Sequence, residues 1–359
     1  MKLNEVKEDM DIQEFKKNKR VMNIIIPMAG IGKRMRPHTL TVPKPLLHVA
    51  GKPIVQRLVE DIAKVVNEPL NEIAFIVGPS EQFFGKEIQA HLLGVAAKLG
   101  AKGSINVQHE ALGTAHAIYQ AKQALEGNVI VAFADTLFRA DFKLDASVDG
   151  TIWVKEVEDP RAFGVVQLDG EGTIIDFVEK PDNPESNLAI IGIYYFKDGA
   201  SVLREIEYLL DNDIREKGEY QLTNVLDSLK NQGCKFVPGK VEEWWDCGNK
   251  NATINTNQRV LANISDEQLV SDKITNEGSE IIKPCFIGEN VRLINAKVGP
   301  YVSIGDGSVI ENSTIENTIV YSNAHIQNAS MKNSMIGNFV EYDGSAKELS
   351  LSDYSTQKD

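Results

Sequence analysis

Short apolar runs alternate with amphipathic segments along the first part of the chain. Residues 23–29 form an apolar run that ends at a glycine-rich turn, which predicts a buried strand. After Pro53 apolar residues recur with the helical period, and residues 74–77 form the next apolar run. A helical pattern over residues 114–125 then leads into a strand pattern over residues 128–134. Strands that alternate with helices predict an α/β fold with a doubly wound, Rossmann-like sheet.

Consecutive strand patterns follow in the middle of the chain. They lie at residues 151–157, 164–168, 173–179 and 188–196. Because only turns separate them, they predict a smaller, mixed or antiparallel annex beside the first sheet. Helical patterns then return at three places, namely residues 199–210, 221–231 and 249–262.

A different period begins after about residue 276. Apolar residues recur there in steps of five or six positions, at Ile287, Leu293, Val298, Ile304, Ile310, Ile315, Val320, Ile326, Met331 and Ile336. Glycine follows several of them, and small or polar residues fill the other positions. This hexapeptide signature predicts a short, left-handed parallel β-helix. A meander of short strands is the alternative, and residues 345–359 are expected to form a fraying polar tail.

These patterns divide the chain of 359 residues into two main domains. The predicted parts are a charged N-terminal extension at 1–20, an α/β domain at 21–259, a linker at 260–280, the β-helix at 281–342 and a tail at 343–359.

The composition and the charge narrow the class of protein. Apolar residues make up 42% and charged residues 25% of the chain, the mixture of a globular protein. The formal net charge of −13 argues against a nucleic-acid partner, because binding a phosphate backbone requires a basic face. Residues 21–59, however, contain no Asp or Glu. Their cations suit a small polyanionic ligand; these are Lys33, Arg34, Arg36, Lys44, Lys52 and Arg57.

The N-terminus and the cysteines bear on the cellular location. The first twenty residues alternate acids and bases and hold no apolar core, so they do not read as a secretory signal. No run approaches the roughly 20 apolar residues that span a membrane. The three cysteines form no CxxC pair, so neither a disulfide framework nor a zinc site is indicated. We therefore expect a cytoplasmic protein without a membrane partner.

Two motifs follow the first predicted strand. Residues 30–37 (GIGKRMRP) place two glycines and three cations in a loop whose backbone N–H groups can approach phosphate oxygens. The loop matches neither a P-loop nor a dinucleotide fingerprint, and a plain tight turn is the alternative interpretation. Residues 42–47 (VPKPLL) then hold Lys44 between two prolines, a rigid setting that an ordinary solvated lysine does not need.

Together these motifs resemble the N-terminal signature of sugar-phosphate nucleotidyltransferases. The pattern GxGxRM, PKPLL and GKP is most similar to long-form glucose-1-phosphate thymidylyltransferases and UDP-sugar pyrophosphorylases with C-terminal hexapeptide repeats. The resemblance implies that Gly30, Gly32, Lys33 and Arg34 bind the nucleotide. It also implies that Arg34 and Lys44 are catalytic and lie near the reacting phosphates, where fixed cations stabilise two anions brought together.

Two aspartates are the candidate metal ligands. Asp135 follows an apolar strand, at the edge where open α/β sheets bind ligands, although a turn cap is the alternative role. Asp246 lies in residues 243–249 (EWWDCGN), which resemble the WxDxGT element of the family. The resemblance implies that Asp135 is catalytic and that both aspartates share a Mg²⁺ ion, whose preferred ligands are oxygens.

Further matches imply binding roles for the base and the sugar. Residues 108–115 (QHEALGTA) resemble the base-recognition turn, which assigns Gln108 and Gly113 to the nucleotide. The segments that resemble DPxxYGV, EKP, AxxGxY and GExxxT assign five residues to the sugar phosphate, namely Gly164, Glu179, Lys180, Gly192 and Glu219. A surface ion pair is the alternative role of Glu179 and Lys180.

The implied reaction joins a nucleoside triphosphate to a sugar 1-phosphate and releases pyrophosphate. The resemblance to the long-form enzymes makes dTTP and glucose 1-phosphate the first expected pair of substrates, with UTP as the second candidate nucleotide. A non-catalytic regulatory relative of the same fold is one alternative. A β-helix acyltransferase that uses His325 is another. We expect the β-helix to support a homo-oligomer instead.

Overall fold

Strand β1 (Met22–Pro27) lies in the middle of the main sheet, and every one of its residues is buried. It pairs in parallel with its neighbours on both sides, which explains why its sequence is apolar throughout rather than alternating. The computed structural model describes residues 22–66, 68–140, 144–145, 147–265, 268–344, 350–353 and 355–357. The predicted N-terminal extension at 1–20 lies outside the described residues.

The main sheet has nine strands in a mixed arrangement. Its strands are β1, β4 (Leu70–Val77), β5 (Lys102–Val107), β6 (Asn128–Ala132), β8 (Gly150–Glu156), β9 (Gly164–Leu168), β10 (Ile174–Glu179), β11 (Leu188–Phe196) and β12 (Phe236–Lys240). The order is β10, β9, β11, β6, β1, β4 and β5, with β8 beside β11 and β12 beside β8. Strands β6, β1, β4 and β5 are parallel, as the alternation with helices predicts.

The strands predicted as an annex form at the expected positions but belong to the same sheet. Strand β11 pairs antiparallel with β6, with Tyr194 opposite Val131. It also pairs with β8 over most of its length. Apart from the partly buried Leu188, the apolar residues of β11 are buried on both faces, so the strand serves as a central element that joins the parallel and antiparallel parts.

The helices cover the sheet and one of them leads toward the β-helix. They are α1 (Ile54–Val66), α2 (Glu81–Phe84), α3 (Lys86–Lys98), α4 (Thr114–Tyr119), α5 (Gly199–Asp211), α6 (Leu222–Asn231) and α7 (Lys250–Asn263). Short 3₁₀ helices span Lys33–Met35, Lys44–Leu46 and Lys122–Ala124. The helix predicted over 114–125 is therefore divided into an α-helical turn and a 3₁₀ turn. No helix among the described residues is long and apolar enough to cross a membrane.

Two small ribbons flank the main sheet. Strands β2 (His48–Val49) and β3 (Lys52–Pro53) form one, and β7 (Thr136–Arg139) and β13 (Glu243–Asp246) form the other. Both ribbons are antiparallel. The second joins the segment after β6 to the segment before α7, which are distant in sequence.

The C-terminal domain is the predicted left-handed β-helix with three parallel faces. The first face contains β14 (Thr275–Glu277), β17 (Arg292–Ile294), β20 (Val309–Glu311), β23 (His325–Gln327), β26 (Glu341–Asp343) and β28 (Thr356–Gln357). The second contains β15 (Glu280–Ile281), β18 (Lys297–Val298), β21 (Thr314–Glu316) and β24 (Ser330–Lys332). The third contains β16 (Cys285–Ile287), β19 (Val302–Ile304), β22 (Ile319–Val320), β25 (Met335–Ile336) and β27 (Ser350–Leu351).

The repeat forms because apolar side chains stack inside and asparagines occupy the tight corners. The recurring apolar residues from Ile287 to Ile336 are buried. Asn295, Asn312 and Asn328 adopt positive φ angles at successive corners, a conformation that asparagine tolerates better than most residues. Neighbouring coils pair strand by strand, so a repeat that is local in sequence is enough to indicate the stacked coils.

The domain boundaries differ from those that the sequence predicts. Helix α7 continues to Asn263, and strand β14 already lies within the predicted linker. The tail was expected to fray, but β27 and β28 add to the last coil through parallel pairing with β25 and β26. These strands contain only two residues each and lack the repeat period, which is why the sequence pattern missed them.

The two domains are in direct contact. Asn257 of α7 is fully buried, and its Oδ1 accepts hydrogen bonds from Ala50 N (2.9 Å) and from Ser303 Oγ (2.7 Å). Its Nδ2 donates to Tyr301 O (3.3 Å). A Cβ at Gly51 would lie 2.2 Å from the ring of Phe286, so glycine is required for this close contact. The β-helix is thus packed against the segment that follows Lys44.

Candidate active site

The ribbon of β7 and β13 brings the two predicted metal ligands to one place. Thr136 pairs with Asp246 across the ribbon, so Asp135 and Asp246 lie at the same end of it. Cys247 N also donates a hydrogen bond to Asp135 O (3.1 Å), which closes that end. The sequence predicted the two residues separately, and the pairing of β7 with β13 explains how the fold joins them.

Lys44 completes this cluster through an ion pair with Asp135. The distance from Lys44 Nζ to Asp135 Oδ2 is 2.7 Å, and the side chains are 11% and 38% exposed. Lys44 begins the 3₁₀ helix Lys44–Leu46, with Pro43 and Pro45 on either side. The prolines restrict the backbone, so the ammonium group is held at the site with little further loss of entropy.

Gly32 is required for Lys44 to reach this position. Its φ angle is +74°, in the left-handed region that favours glycine. A Cβ there would lie 2.7 Å from the Cβ of Lys44. The glycine of the first motif and the lysine of the second therefore pack against each other, which accounts for their joint presence in the sequence.

The site concentrates negative charge around Asp246. Burial is the largest cause that raises the pKa of Asp246 above its ordinary value, and the nearby carboxylate of Asp135 raises it further. A hydrogen bond from Gly248 N to Asp246 Oδ1 (2.9 Å) and the charges of Lys44 and Arg34 act in the opposite direction. The net effect is a raised pKa, because burial and the neighbouring carboxylate outweigh the hydrogen bond and the two cations.

Two cavities meet at this cluster. One has a volume of about 260 Å³ and is lined by Gly30, Lys44, Gln108, Gly113 and Asp135, among others. The second has a volume of about 240 Å³ and lies toward β10 and β11. Thr114, Phe133 and Asp135 line both. We call them the nucleotide-side and the sugar-side cavity, after the residues that the sequence assigns to each.

The nucleotide-side cavity contains the predicted base-recognition turn. The Gln108 side chain is buried, and its Nε2 lies 3.5 Å from Gly113 O and 3.3 Å from His116 Nδ1. Gly113 has a φ angle of +121°, and a Cβ there would lie 2.4 Å from Tyr220 O. Only glycine fits, so this turn and the segment that contains Tyr220 are packed together. Glu219 also lines this cavity, whereas the sequence assigns it to the sugar.

The sugar-side cavity contains the other four residues assigned to the sugar phosphate. Gly164, Glu179, Lys180 and Gly192 all line it. Glu179 Oε1 pairs with Lys180 Nζ at 3.0 Å, and the Glu179 side chain is only 12% exposed. The Lys180 side chain is 51% exposed and lies at the rim. Gly164 keeps the pocket open beside Glu179, since a Cβ there would lie 3.3 Å from Glu179 Oε2.

Three residues of the loop at 30–37, namely Gly30, Lys33 and Arg34, are more exposed than Lys44 and Gln108. Lys33 and Arg34 lie in the 3₁₀ turn Lys33–Met35, and both are exposed. Arg34 lines the sugar-side cavity together with Asp246. Gly30 lines the nucleotide-side cavity, while Lys33 lines neither of the two.

Trp244 also lines the sugar-side cavity, a position for which the sequence analysis did not single it out. Its ring meets Phe163 edge-on, with the centroids 5.1 Å apart. Its indole Nε1 is buried and has no hydrogen-bond partner within the described residues. The two-residue separation of Trp244 and Asp246 could have indicated this position, because side chains alternate along β13 and these two lie on the same face of the strand.

The described residues contain no group of three or more His, Cys, Asp or Glu side chains arranged to hold a metal ion. Asp135 and Asp246 supply carboxylate oxygens from two positions only. A hard cation here would take its remaining ligands from water or from phosphate oxygens, as Mg²⁺ does in sites that bind phosphates.

Comparison with known proteins identifies the family to which the domain with these cavities belongs. The sequence model of the family described as nucleotidyl transferase matches residues 23–263. The chain belongs to this family. The match includes both cavities and the two aspartates, and it ends where α7 ends.

The similar proteins include members that also extend beyond the matched domain. The low-salt glycan biosynthesis nucleotidyltransferase Agl11 of Haloferax volcanii is 30% identical over 81% of this chain and 85% of its own length. A glucose-1-phosphate thymidylyltransferase of Streptomyces antibioticus is 29% identical over 79% of this chain and 83% of its own. A structure of UDP-glucose pyrophosphorylase complexed with UDP-glucose has the same fold, with a TM-score of 0.54 and 22% identity over 68% of this chain and 99% of that one.

Proposed function

We propose that this nucleotidyltransferase condenses dTTP with glucose 1-phosphate to give dTDP-glucose and pyrophosphate, with UTP as the second candidate nucleotide. The proposal includes Mg²⁺ at Asp135 and Asp246. It also includes a cytoplasmic location and a homo-oligomer supported by the β-helix.

One observation carries the proposal. The nucleotide-side and sugar-side cavities share Asp135, which is paired with Lys44 at their junction. A reaction that joins two phosphorylated molecules needs two adjacent cavities and a cation between them, because the reacting groups are both anions. The junction of the two cavities has this arrangement.

The residues present fit a bound Mg²⁺ ion. Two carboxylates lie together, and burial, followed by the charge of Asp135, raises the pKa of Asp246. When bound, Mg²⁺ supplies positive charge that stabilises the oxygens around the reacting phosphorus. Lys44 and Arg34 contribute the remaining positive charge near these carboxylates.

The proposed reaction is an in-line displacement. An oxygen of the sugar 1-phosphate forms a bond with the α-phosphorus, the bond from that phosphorus to the bridging oxygen breaks, and pyrophosphate leaves with the electron pair. In this proposal Gln108 and the turn at Gly113 hold the base, and Glu179 holds sugar hydroxyls. Lys180 meets the sugar phosphate from the rim. No covalent enzyme intermediate is required, because both substrates meet at the junction.

Support for dTTP and glucose 1-phosphate comes from the similar proteins. One relative is named glucose-1-phosphate thymidylyltransferase, and the similarity to it covers 79% of this chain. The buried amide of Gln108 offers a donor and an acceptor, which suits the edge of a pyrimidine. Uracil and thymine share that edge, which keeps UTP as the second candidate.

A pyrophosphate-release assay tests the proposal. The full chain is incubated with Mg²⁺, each common nucleoside triphosphate in turn and a panel of sugar 1-phosphates. The highest kcat/KM is expected for dTTP with glucose 1-phosphate, and size-exclusion chromatography should give an oligomer. A preference for another pair would overturn the substrate assignment. Absence of turnover with every pair would favour a regulatory relative, and acetyl transfer that is lost in His325→Ala would favour the acyltransferase alternative.

A further inference from the structure

The end of the chain returns to the α/β domain after completing the β-helix. Strand β27 pairs with β25, and β28 pairs with β26, which places Ser352 and Asp353 at the corner between them. This corner lies against the loop that follows Arg34. Residues far apart in sequence are thereby connected, and no sequence motif indicates the contact.

Two side-chain hydrogen bonds join the corner to the loop. Ser352 Oγ donates to Pro37 O at 2.7 Å. Thr41 Oγ1 donates to Asp353 Oδ2. Pro37 is the last residue of the glycine-rich motif at residues 30–37, and Thr41 ends the turn that follows it.

Asp353 is itself fixed to the β-helix. Its Oδ1 accepts hydrogen bonds from Asn338 N (2.8 Å) and from Asn338 Nδ2 (3.3 Å). One carboxylate oxygen therefore binds the β-helix and the other binds the loop. The side chain forms a bridge whose β-helix end is the better anchored, since it accepts two hydrogen bonds there.

The bridged segment is continuous with the residues assigned to the nucleotide. Thr39 is fully buried, and its Oγ1 donates to Gly32 O at 2.9 Å. Met35 N also donates to Gly32 O, and His38 N donates to Met35 O. Displacement of residues 37–41 would therefore also displace Gly32 and the turn that carries Arg34.

The side chains of Lys33 and Arg34 depend on this backbone support. Both are exposed, and neither forms an ion pair within the part of the chain that the structure describes. Their position is consequently determined by the backbone of the loop rather than by side-chain partners. Contacts that hold the loop therefore affect how well the cations are aligned before substrate arrives.

We propose that Asp353 and Ser352 are positioning residues, which hold the loop of residues 30–41 in the conformation that binds the triphosphate. The inference rests on the proposed function. It assigns the last coil of the β-helix an indirect part in nucleotide binding, through the loop, besides any part in assembly. Gly30 of this loop lines the nucleotide-side cavity and Arg34 lines the sugar-side cavity, so loss of the contact is expected to affect both substrates.

Steady-state kinetics of Asp353→Ala in the full chain test the inference. Loss of the bridge should raise KM for the triphosphate by about 5-fold or more, because one hydrogen bond contributes about 1 kcal/mol. KM for the sugar 1-phosphate should rise as well, because Arg34 of the same loop lines the sugar-side cavity. Asp353→Asn keeps one acceptor oxygen and should recover most of the affinity, and Thr41→Val should reproduce the defect from the loop side.

Asp343→Ala is the matched control. Asp343 lies in the preceding coil, and its hydrogen-bond donors among the described residues are both in the β-helix, namely Gln327 Nε2 (2.9 Å) and Asn328 Nδ2 (2.8 Å). This variant should resemble Asp353→Ala in thermal stability but keep the wild-type KM for the triphosphate. Equal kinetics for Asp353→Ala and Asp343→Ala would overturn the inference.

The sign of the effect separates positioning from simple repulsion. If the Asp353 carboxylate only repelled the triphosphate, its removal would lower KM instead of raising it. A lower KM for Asp353→Ala would therefore also contradict the inference. Wild-type turnover is measured first, so a failure of the proposed function is recognised before any variant is compared.

Discussion

Thr136 and Asp246 are paired across the antiparallel ribbon of β7 and β13, and this pairing assembles the candidate active site. It places Asp246 beside Asp135, the residue that precedes Thr136. Thr136 is held in turn by a hydrogen bond from its Oγ1 to Ile191 O (2.8 Å) on β11. The position of both carboxylates therefore depends on the main sheet, the ribbon and the strand that lines the sugar-side cavity.

Thermal unfolding should detect Mg²⁺ binding independently of catalysis. Binding to the folded chain at several times the dissociation constant is expected to raise the melting temperature by about 2 °C near neutral pH. Because burial and Asp135 raise the pKa of Asp246 above its ordinary 3.8, this carboxyl stays protonated at higher pH than a free one. The rise in melting temperature caused by Mg²⁺ should therefore become smaller as the pH falls and Asp246 is protonated, since protonated Asp246 binds no cation.

Asp246→Asn is the variant that checks this prediction. It should unfold at a similar or higher temperature than the metal-free wild type, because it removes one of two repelling charges. It should also lose the Mg²⁺ shift. A Mg²⁺ shift of wild-type size in Asp246→Asn would show that the cation binds elsewhere.

Gly113→Ala should reduce activity by disturbing the base-recognition turn. The added Cβ would lie 2.4 Å from Tyr220 O, so either the turn or the opposite segment has to move. We expect a fall in kcat/KM for the triphosphate of about 10-fold or more. Gly100→Ala is the control, because Gly100 also has a positive φ angle (+76°) but its Cβ would meet nothing within 4 Å. Wild-type kcat/KM in both variants would show that the turn at Gly113 tolerates a side chain.

The sequence predicted many elements of the fold but not their assembly. The strands from Gly164–Leu168 to Leu188–Phe196 and the β-helix form at the expected positions, because alternation and hexapeptide spacing are local signals. The pairing of β11 with β6 joins the annex to the main sheet, and it depends on contacts between distant segments. Local periodicity carries no information about such pairing.

The same limit applies to the candidate site. Lys44, Asp135 and Asp246 were identified from three separate motifs, and the structure brings them together. The position of Glu219 in the nucleotide-side cavity follows from the packing of Tyr220 against Gly113, which no motif records. The contact of Asp353 with Thr41 arises from two-residue strands that leave no periodic pattern.

Asn257→Ala should weaken the contact between the two domains. The substitution leaves Ala50 N and Ser303 Oγ without their buried acceptor, which costs about 2–4 kcal/mol in the free energy of unfolding. Denaturant unfolding measures this loss. Asn263 lies on the same helix but is exposed, so Asn263→Ala should lower the free energy of unfolding by less than about 1 kcal/mol. Equal losses in the two variants would contradict a specific role for Asn257.

His38 should make the folded chain sensitive to acid. Burial, the largest cause, lowers the pKa of His38 from 6.5 to about 4, although the charge of Asp353 raises it. The unfolded chain therefore binds a proton at higher pH than the folded chain, so stability is lost as the pH falls from 6.5 toward 4. This group contributes about 3 kcal/mol over that range. The free energy of unfolding of His38→Gln should depend less steeply on pH, and parallel profiles for both proteins would contradict the prediction.

Pyrophosphate release in the presence and absence of sugar 1-phosphate tests the central claim most directly. The wild type should release pyrophosphate only with sugar 1-phosphate and form one nucleotide-sugar for each pyrophosphate. Asp135→Asn and Asp246→Asn should lower the rate by at least about 100-fold while remaining folded. Asp211→Asn, an exposed change at the end of α5, should keep the wild-type rate. Near-wild-type release by Asp135→Asn, or release that does not require the sugar phosphate, would contradict the account.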